Sequence, residues 1–300
     1  MRVTQSMLSN NMLRHVMDSQ QKLDKYLEQL YTGRKISYPS DDPVIAMKGI
    51  AYRTEVSEVE QYKRNSSEVK TWMDNTDAAL DKATQAMHRL YELSIQASNS
   101  TYDQDELNSI KEEAIQLKDH LFDIANTNVS GKYIFNGMNT TKAPITIDDE
   151  GNIVTENINN EPVEIEVFKG TRVQANVSAK ELFHSDDGDG FFENIQKFID
   201  TLENEDVTSD DFDESIQLLN KNTSKILDAR ASLGARMNRM ELIDNRLDEQ
   251  EVIAKQTMAE NENVHFEEAI TQLITQETLH RAALAAGSRM MQPTLIDFLR

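Results

Sequence analysis

The chain has 300 residues, 52 acidic and 31 basic, for a net charge of −21. That balance weighs against a nucleic-acid binder, whose affinity rests on Lys and Arg against phosphates, and against a basic membrane-surface helix. Cysteine is absent, which removes disulfides, thiolate catalysis and Cys-based zinc sites, and no apolar run nears the roughly 18 residues of a membrane span.

From the N-terminus, residues 1–11 carry Arg2 but no apolar core behind it, so no cleaved secretory signal is expected. Leu13, Val16, Gln20, Leu23, Leu27 and Leu30 follow at spacings of three and four. They predict an amphipathic helix from about residue 5 to 31, stopped near Gly33. Residues 36–43 then hold two prolines in a Ser/Asp cluster, which reads as a fixed turn. Asp42 before Pro43 reads as a helix N-cap with proline at the first helical position. A second helix should run from Pro43 through Ala97, with Trp72 packed beside its stripe. Asn99, Ser100 and Thr101 should break it, and a returning helix should occupy residues 106–125.

The pattern changes near Gly131. Short β-branched runs at 145–147, 153–155, 163–167 and 173–177 alternate with Gly, Asn, Asp and Pro turns. They predict a small β-rich unit from about residue 133 to 183. A short helix at 191–202 comes next, then an acidic loop at 206–211. Residues 212–261 form the longest feature. Phe212, Ile216, Leu219, Thr223, Ile226, Arg230, Leu233, Met237, Met240, Asp244, Leu247, Glu251, Ala254 and Met258 mark a heptad seam on one helix. About fifty residues would span roughly 75 Å, so this helix needs companions along its length. A last helix runs from about Ala269 to Met290, and Pro293 ends or kinks it. The final stretch, Leu295 to Arg300, is apolar enough to need covering by another molecule.

Some constellations suggest chemistry. Glu262 with His265, and Glu277 with His280, form two Glu-x-x-His pairs of the kind that hold a di-metal centre in ferritin-like bundles. They stand fifteen residues apart on one stretch, about 22 Å on a continuous helix, so they do not converge. Ser185 to Gly190 echoes a calcium loop, but the twelfth position would be Gln196 in place of Glu, and a solvated turn fits better. Asn65 and Asn128 open Asn-x-Ser/Thr matches without a secretory context. No nucleophile–base–orienter set, phosphate loop or zinc signature is present. Neither an enzyme nor a cofactor is expected, and neither nucleic acid nor membrane as a partner.

Two stretches carry a family likeness. Leu30-Tyr31-Thr32-Gly33-Arg34-Lys35-Ile36 with Pro39-Ser40-Asp41-Asp42-Pro43 resembles the N-terminal signature of the bacterial flagellin family. Leu233-Gly234-Ala235-Arg236-Met237-Asn238-Arg239, with the helical tail, resembles its C-terminal signature. Ile124 to Thr127, Gly131 to Gly137 and the modest β-rich middle are most similar to one branch, the hook-associated proteins that join hook to filament. The resemblance implies a mainly α fold: an elongated bundle of long helices with terminal coiled-coil segments and a small β-rich insertion. It implies three domains: residues 1–42 plus 264–300 as the inner-tube coiled coil, 43–132 plus 190–263 as a long-helix bundle, and 133–189 as the β-rich part.

The same resemblance implies a non-enzymatic junction adaptor of the bacterial flagellum, with the filament subunit itself as the alternative. It implies secretion through the flagellar type III channel without a cleaved signal, to the extracellular hook–filament junction. The implied partners are the preceding hook-associated junction protein, flagellin, copies of itself in a ring, and an export chaperone. It marks as assembly residues Leu13, Val16, Leu23, Leu27, Leu30, Arg34, Asp41, Asp42, Leu273, Leu284, Leu295, Ile296, Phe298 and Leu299. Neither terminal segment can bury its stripe alone, so ordering on assembly is expected.

Overall fold

The computed structural model describes residues 5–98, 104–148, 153–154, 158–184, 190–203 and 209–290. Among them are helices α1 (Gln5–Thr32), α2 (Pro43–Ala97), α3 (Gln104–Ala125), α4 (Ala179–Phe183), α5 (Phe191–Glu203), α6 (Ser209–Glu262) and α7 (Phe266–Met290). Six short strands among the described residues lie between α3 and α4: β1 (Asn128–Val129), β2 (Lys132–Tyr133), β3 (Thr146–Ile147), β4 (Ile153–Val154), β5 (Glu164–Phe168) and β6 (Thr171–Gln174). The mainly α fold with a small β insertion is thus the fold observed. The expected break at 99–101, the acidic turn at 185–189 and the apolar end at 295–300 lie outside the described residues. The chain divides into two compact units, Met1–Glu58 with Glu249–Arg300, and Val59–Asp248.

In the unit Val59–Asp248, α6 follows its heptad. Phe212, Leu219, Ile226, Leu233, Met240 and Leu247, every seventh residue, are buried. All but Leu247 join one apolar cluster with Val69, Met73, Leu80, Met87 and Leu90 of α2, and Ile110, Ala114 and Leu121 of α3. The polar interruptions of the seam have partners. Arg230 Nε donates to Asp77 Oδ1 at 2.8 Å, and its Nη1 to Asp81 Oδ1 at 2.6 Å. Asp244 accepts from the buried Ser66 hydroxyl. These polar positions tie α6 to α2 where an apolar side chain would only pack.

The small β insertion is present, and among the described residues its strands form three separate antiparallel pairs, β1–β2, β3–β4 and β5–β6. It differs from the sequence expectation in two respects. The first pair begins at Asn128, upstream of the expected boundary at 133. Its turn puts Ser130 and Gly131 at φ 53° and 82°, with Asn128 Oδ1 accepting from Gly131 N. Residues 179–183, read as part of the β unit, are helical, because Ser178 caps α4 by accepting from Lys180 N at 3.1 Å.

Packing explains why the ladders are short. Phe135 leaves the strand and meets Phe183 edge-on at 6.0 Å between ring centres, and Phe183 meets Phe191 edge-on at 5.2 Å. These rings draw the chain into the core instead of extending a sheet. Trp72 packs under the same segment and donates from Nε1 to Ile134 O at 3.4 Å. Arg236 Nη1 donates to Asn176 O at 2.9 Å, so the C-terminal signature holds the segment after β6 against α6. Burial pushes that guanidinium below its ordinary pKa.

Candidate functional site

The residues that the sequence marks for assembly gather, where described, in the unit of Met1–Glu58 with Glu249–Arg300. It is built from two parts: a clasp where four helix ends meet, and the pair α1–α7 that leaves it.

The clasp begins at Gly33. Its φ of 72° and its N–H to Gln29 O at 2.9 Å end α1 in the left-handed conformation that glycine adopts without strain. The chain then runs extended beside the exit from α6. Lys35 N donates to Glu262 O at 2.8 Å, Val264 N donates to Gly33 O at 2.9 Å, and Arg34 bridges Asn263 antiparallel. Lys35 Nζ reaches Glu260 O at 2.6 Å. Asn261 Nδ2 reaches Ile45 O at 3.1 Å. Arg53 grips Glu262 with two hydrogen bonds of 2.6 and 2.7 Å, which raises the arginine pKa further.

Asp41 and Asp42 hold the turn itself. Asp41 Oδ2 accepts from Tyr38 N at 2.9 Å and Ser37 N at 3.2 Å. Asp42 Oδ1 accepts from Val44 N at 2.9 Å and Ile45 N at 3.1 Å, the N-cap geometry that the Asp-Pro step predicts. The Glu-x-x-His pairs have other occupations. Glu262 belongs to Arg53, and Glu277 pairs with Arg281 one turn on. Among the described residues no group of three or more His, Cys, Asp or Glu is arranged to hold a metal ion.

The helices α1 and α7 run antiparallel, since Gly33 lies by Phe266 while Met12 lies on Gly287. Their sheltered faces repeat at heptad spacing: Met12, Val16, Ser19, Leu23, Tyr26 and Leu30 on α1, and Ala269, Leu273, Gln276, His280, Ala283 and Gly287 on α7. The α7 face is mostly small or polar. Gly287 is the point of close approach: an added Cβ would sit 2.8 Å from Met12 Cε, and the flexible end of Met12 would have to shift. Ser19 Oγ and His280 Nδ1 are buried without a hydrogen-bond partner, which costs stability in a monomer. Large apolar side chains face outward instead: Leu13 is 50% exposed, Met17 62%, Ile274 58% and Leu284 49%.

The sequence-marked residues therefore fall into groups. Val16, Leu23, Leu30 and Leu273 lie in the α1–α7 seam, while Leu13, Leu27 and Leu284 stand outside it. Arg34, Asp41 and Asp42 belong to the clasp. Leu295, Ile296, Phe298 and Leu299 lie outside the described residues. Sequence reasoning passed over Met12, Gly287 and Arg53, and singled out Glu262 only as half of a Glu-x-x-His pair. The heptad of small residues through Ala269, Ala283 and Gly287 was a readable signal for the close approach; the Arg53–Glu262 pair, 209 residues apart, had none.

Comparison with known proteins gives the family. Residues 3–140 match the bacterial flagellin N-terminal helical region, and residues 216–299 match the bacterial flagellin C-terminal helical region. The flagellar hook-associated protein 3 of Escherichia coli (strain K12) is 24% identical, over 98% of either chain. The flagellar filament 31.3 kDa core protein of Treponema maltophilum is 26% identical, over 89% of this chain and 86% of its own. Among solved structures, the flagellar junction protein of Legionella pneumophila superposes with a TM-score of 0.60 at 16% identity, covering 72% of this chain and all of that one.

Proposed function

This chain belongs to the bacterial flagellin family, and we propose that it is the structural adaptor at the junction between flagellar hook and filament. The observation that carries this reading is the end-to-end correspondence with a hook-associated protein 3, which includes both helical ends and the modest middle. The mechanism is interface matching. One surface packs on the preceding hook-associated protein, copies of the chain close a ring, and the opposite surface offers flagellin a template. The outward apolar stripes of α1 and α7 are the surfaces that neighbours cover, and burying one Leu or Ile in such a contact contributes about 1.5–3 kcal/mol. The pair gains much of its order on assembly. The protein acts without catalysis, reaches the cell exterior by flagellar export, and is held before export by a chaperone on its apolar C-terminal segment.

A second reading, the filament subunit itself, is favoured by the similarity to a filament core protein. Deletion of the gene from a motile bacterium separates the two. The junction role predicts hooks that remain, with flagellin shed into the medium. Normal filaments on the deletion strain would overturn it. Bare hooks without flagellin in the medium would favour the filament reading.

A further inference from the structure

Beside the clasp lies a recess of about 150 Å³. Its apolar lining includes Ile36, Pro39, Ile45 and Ile50, and Arg34 stands at its edge. Around it Tyr38, Val44 and Met47 are all more than half exposed. A cavity of this size admits one benzene-sized ring. Among the described residues the Arg34 side chain has no acidic partner, in a chain whose net charge is −21. The recess thus asks for an aromatic side chain next to a carboxylate.

The chain carries such a pair at Asp297-Phe298, inside the apolar run 295–299. We infer that the recess receives Phe298 of a second copy, with Asp297 of that copy against Arg34. The chain's own Phe298 is out of reach. From the clasp, α7 carries the backbone away over 25 residues, about 36 Å. The eight residues from Met290 to Phe298 span at most about 29 Å when extended. A second copy is the occupant that meets size, charge and reach together. The contact would join the far end of one terminal pair to the clasp of the next, and so fix how copies are spaced.

This inference rests on the assembly role proposed above, and the test keeps the two apart. Because the chain has no cysteine, single-cysteine variants report one contact each. Ile50→Cys and Phe298→Cys full-length chains are co-expressed, flagella are isolated, and disulfide dimers are scored after mild oxidation. The expected result is a mixed dimer several-fold above the dimer of either variant expressed alone. Arg34→Glu on the Ile50→Cys chain should reduce it, and Asp297→Arg on the Phe298→Cys chain should restore it. Protein present in the flagella without excess mixed dimer, or a charge swap without recovery, overturns the docking and leaves the junction role standing. Disulfide closure within one chain of a dilute variant carrying both Ile50→Cys and Phe298→Cys overturns the second-copy assignment. Absence of the unsubstituted protein from isolated flagella removes the junction role, and this inference with it.

Discussion

Arg230 occupies a seam position of α6 where a heptad asks for an apolar side chain, and it survives there because Asp77 and Asp81 of α2 face it. The three side chains are about a third exposed, so solvent screens the pairing. Arg230→Ala should lower the unfolding free energy by about 1 kcal/mol. Arg230→Leu should recover part of that loss, since it restores apolar packing while removing the charge. Equilibrium denaturation of the three proteins decides it; a Leu variant weaker than the Ala variant would contradict this account. From the sequence, Arg230 and Asp244 read as flaws in the seam. Their partners Asp77, Asp81 and Ser66 lie roughly 150 or more residues away in the chain, and no local pattern announces a contact at that range.

At the level of elements, long periodic segments were readable, as were the short helix at 191–202 and the runs at 145–147, 153–155 and 163–167, while β1, β2 and α4 were not. The α6 seam gave its own bounds to within a few residues, because six successive heptad positions agree. In the α1–α7 pair the helices were legible but the facing side was less so. Large apolar residues such as Leu13 and Leu27 drew the stripe toward solvent, while Met12 and Gly287 make the close approach. An apolar face in an assembling subunit need not point at its own chain. The β insertion was hardest, since two-residue strands carry almost no period and Phe135 and Phe183 serve the core instead of a ladder. The pair makes a clear prediction. Gly287→Leu should impair swarming, because a whole leucine side chain at the closest approach must displace Met12 from the seam. Gly234→Leu, where an added Cβ meets nothing within 4 Å, should swarm nearly as the parent does. Equal swarming of the two variants would contradict the tight seam.

Across the whole molecule, two chemistries are kept apart. The unit Val59–Asp248 holds a continuous apolar cluster and matched ion pairs, as a self-sufficient fold requires. In the unit containing the terminal pair, small residues and the unpartnered Ser19 and His280 share the seam with Leu23 and Leu273, while Leu13, Met17, Ile274 and Leu284 stand outside it. In the proposed assembly role neighbours complete its stability, and composition alone hinted at this through the apolar run near the C-terminus. The central claim, that the chain sits only where hook meets filament, is tested most directly by its position. Gold-labelled antibody against the purified protein, viewed on intact flagella by electron microscopy, should mark one narrow band at the hook–filament boundary. Label distributed along the filament would contradict the junction role.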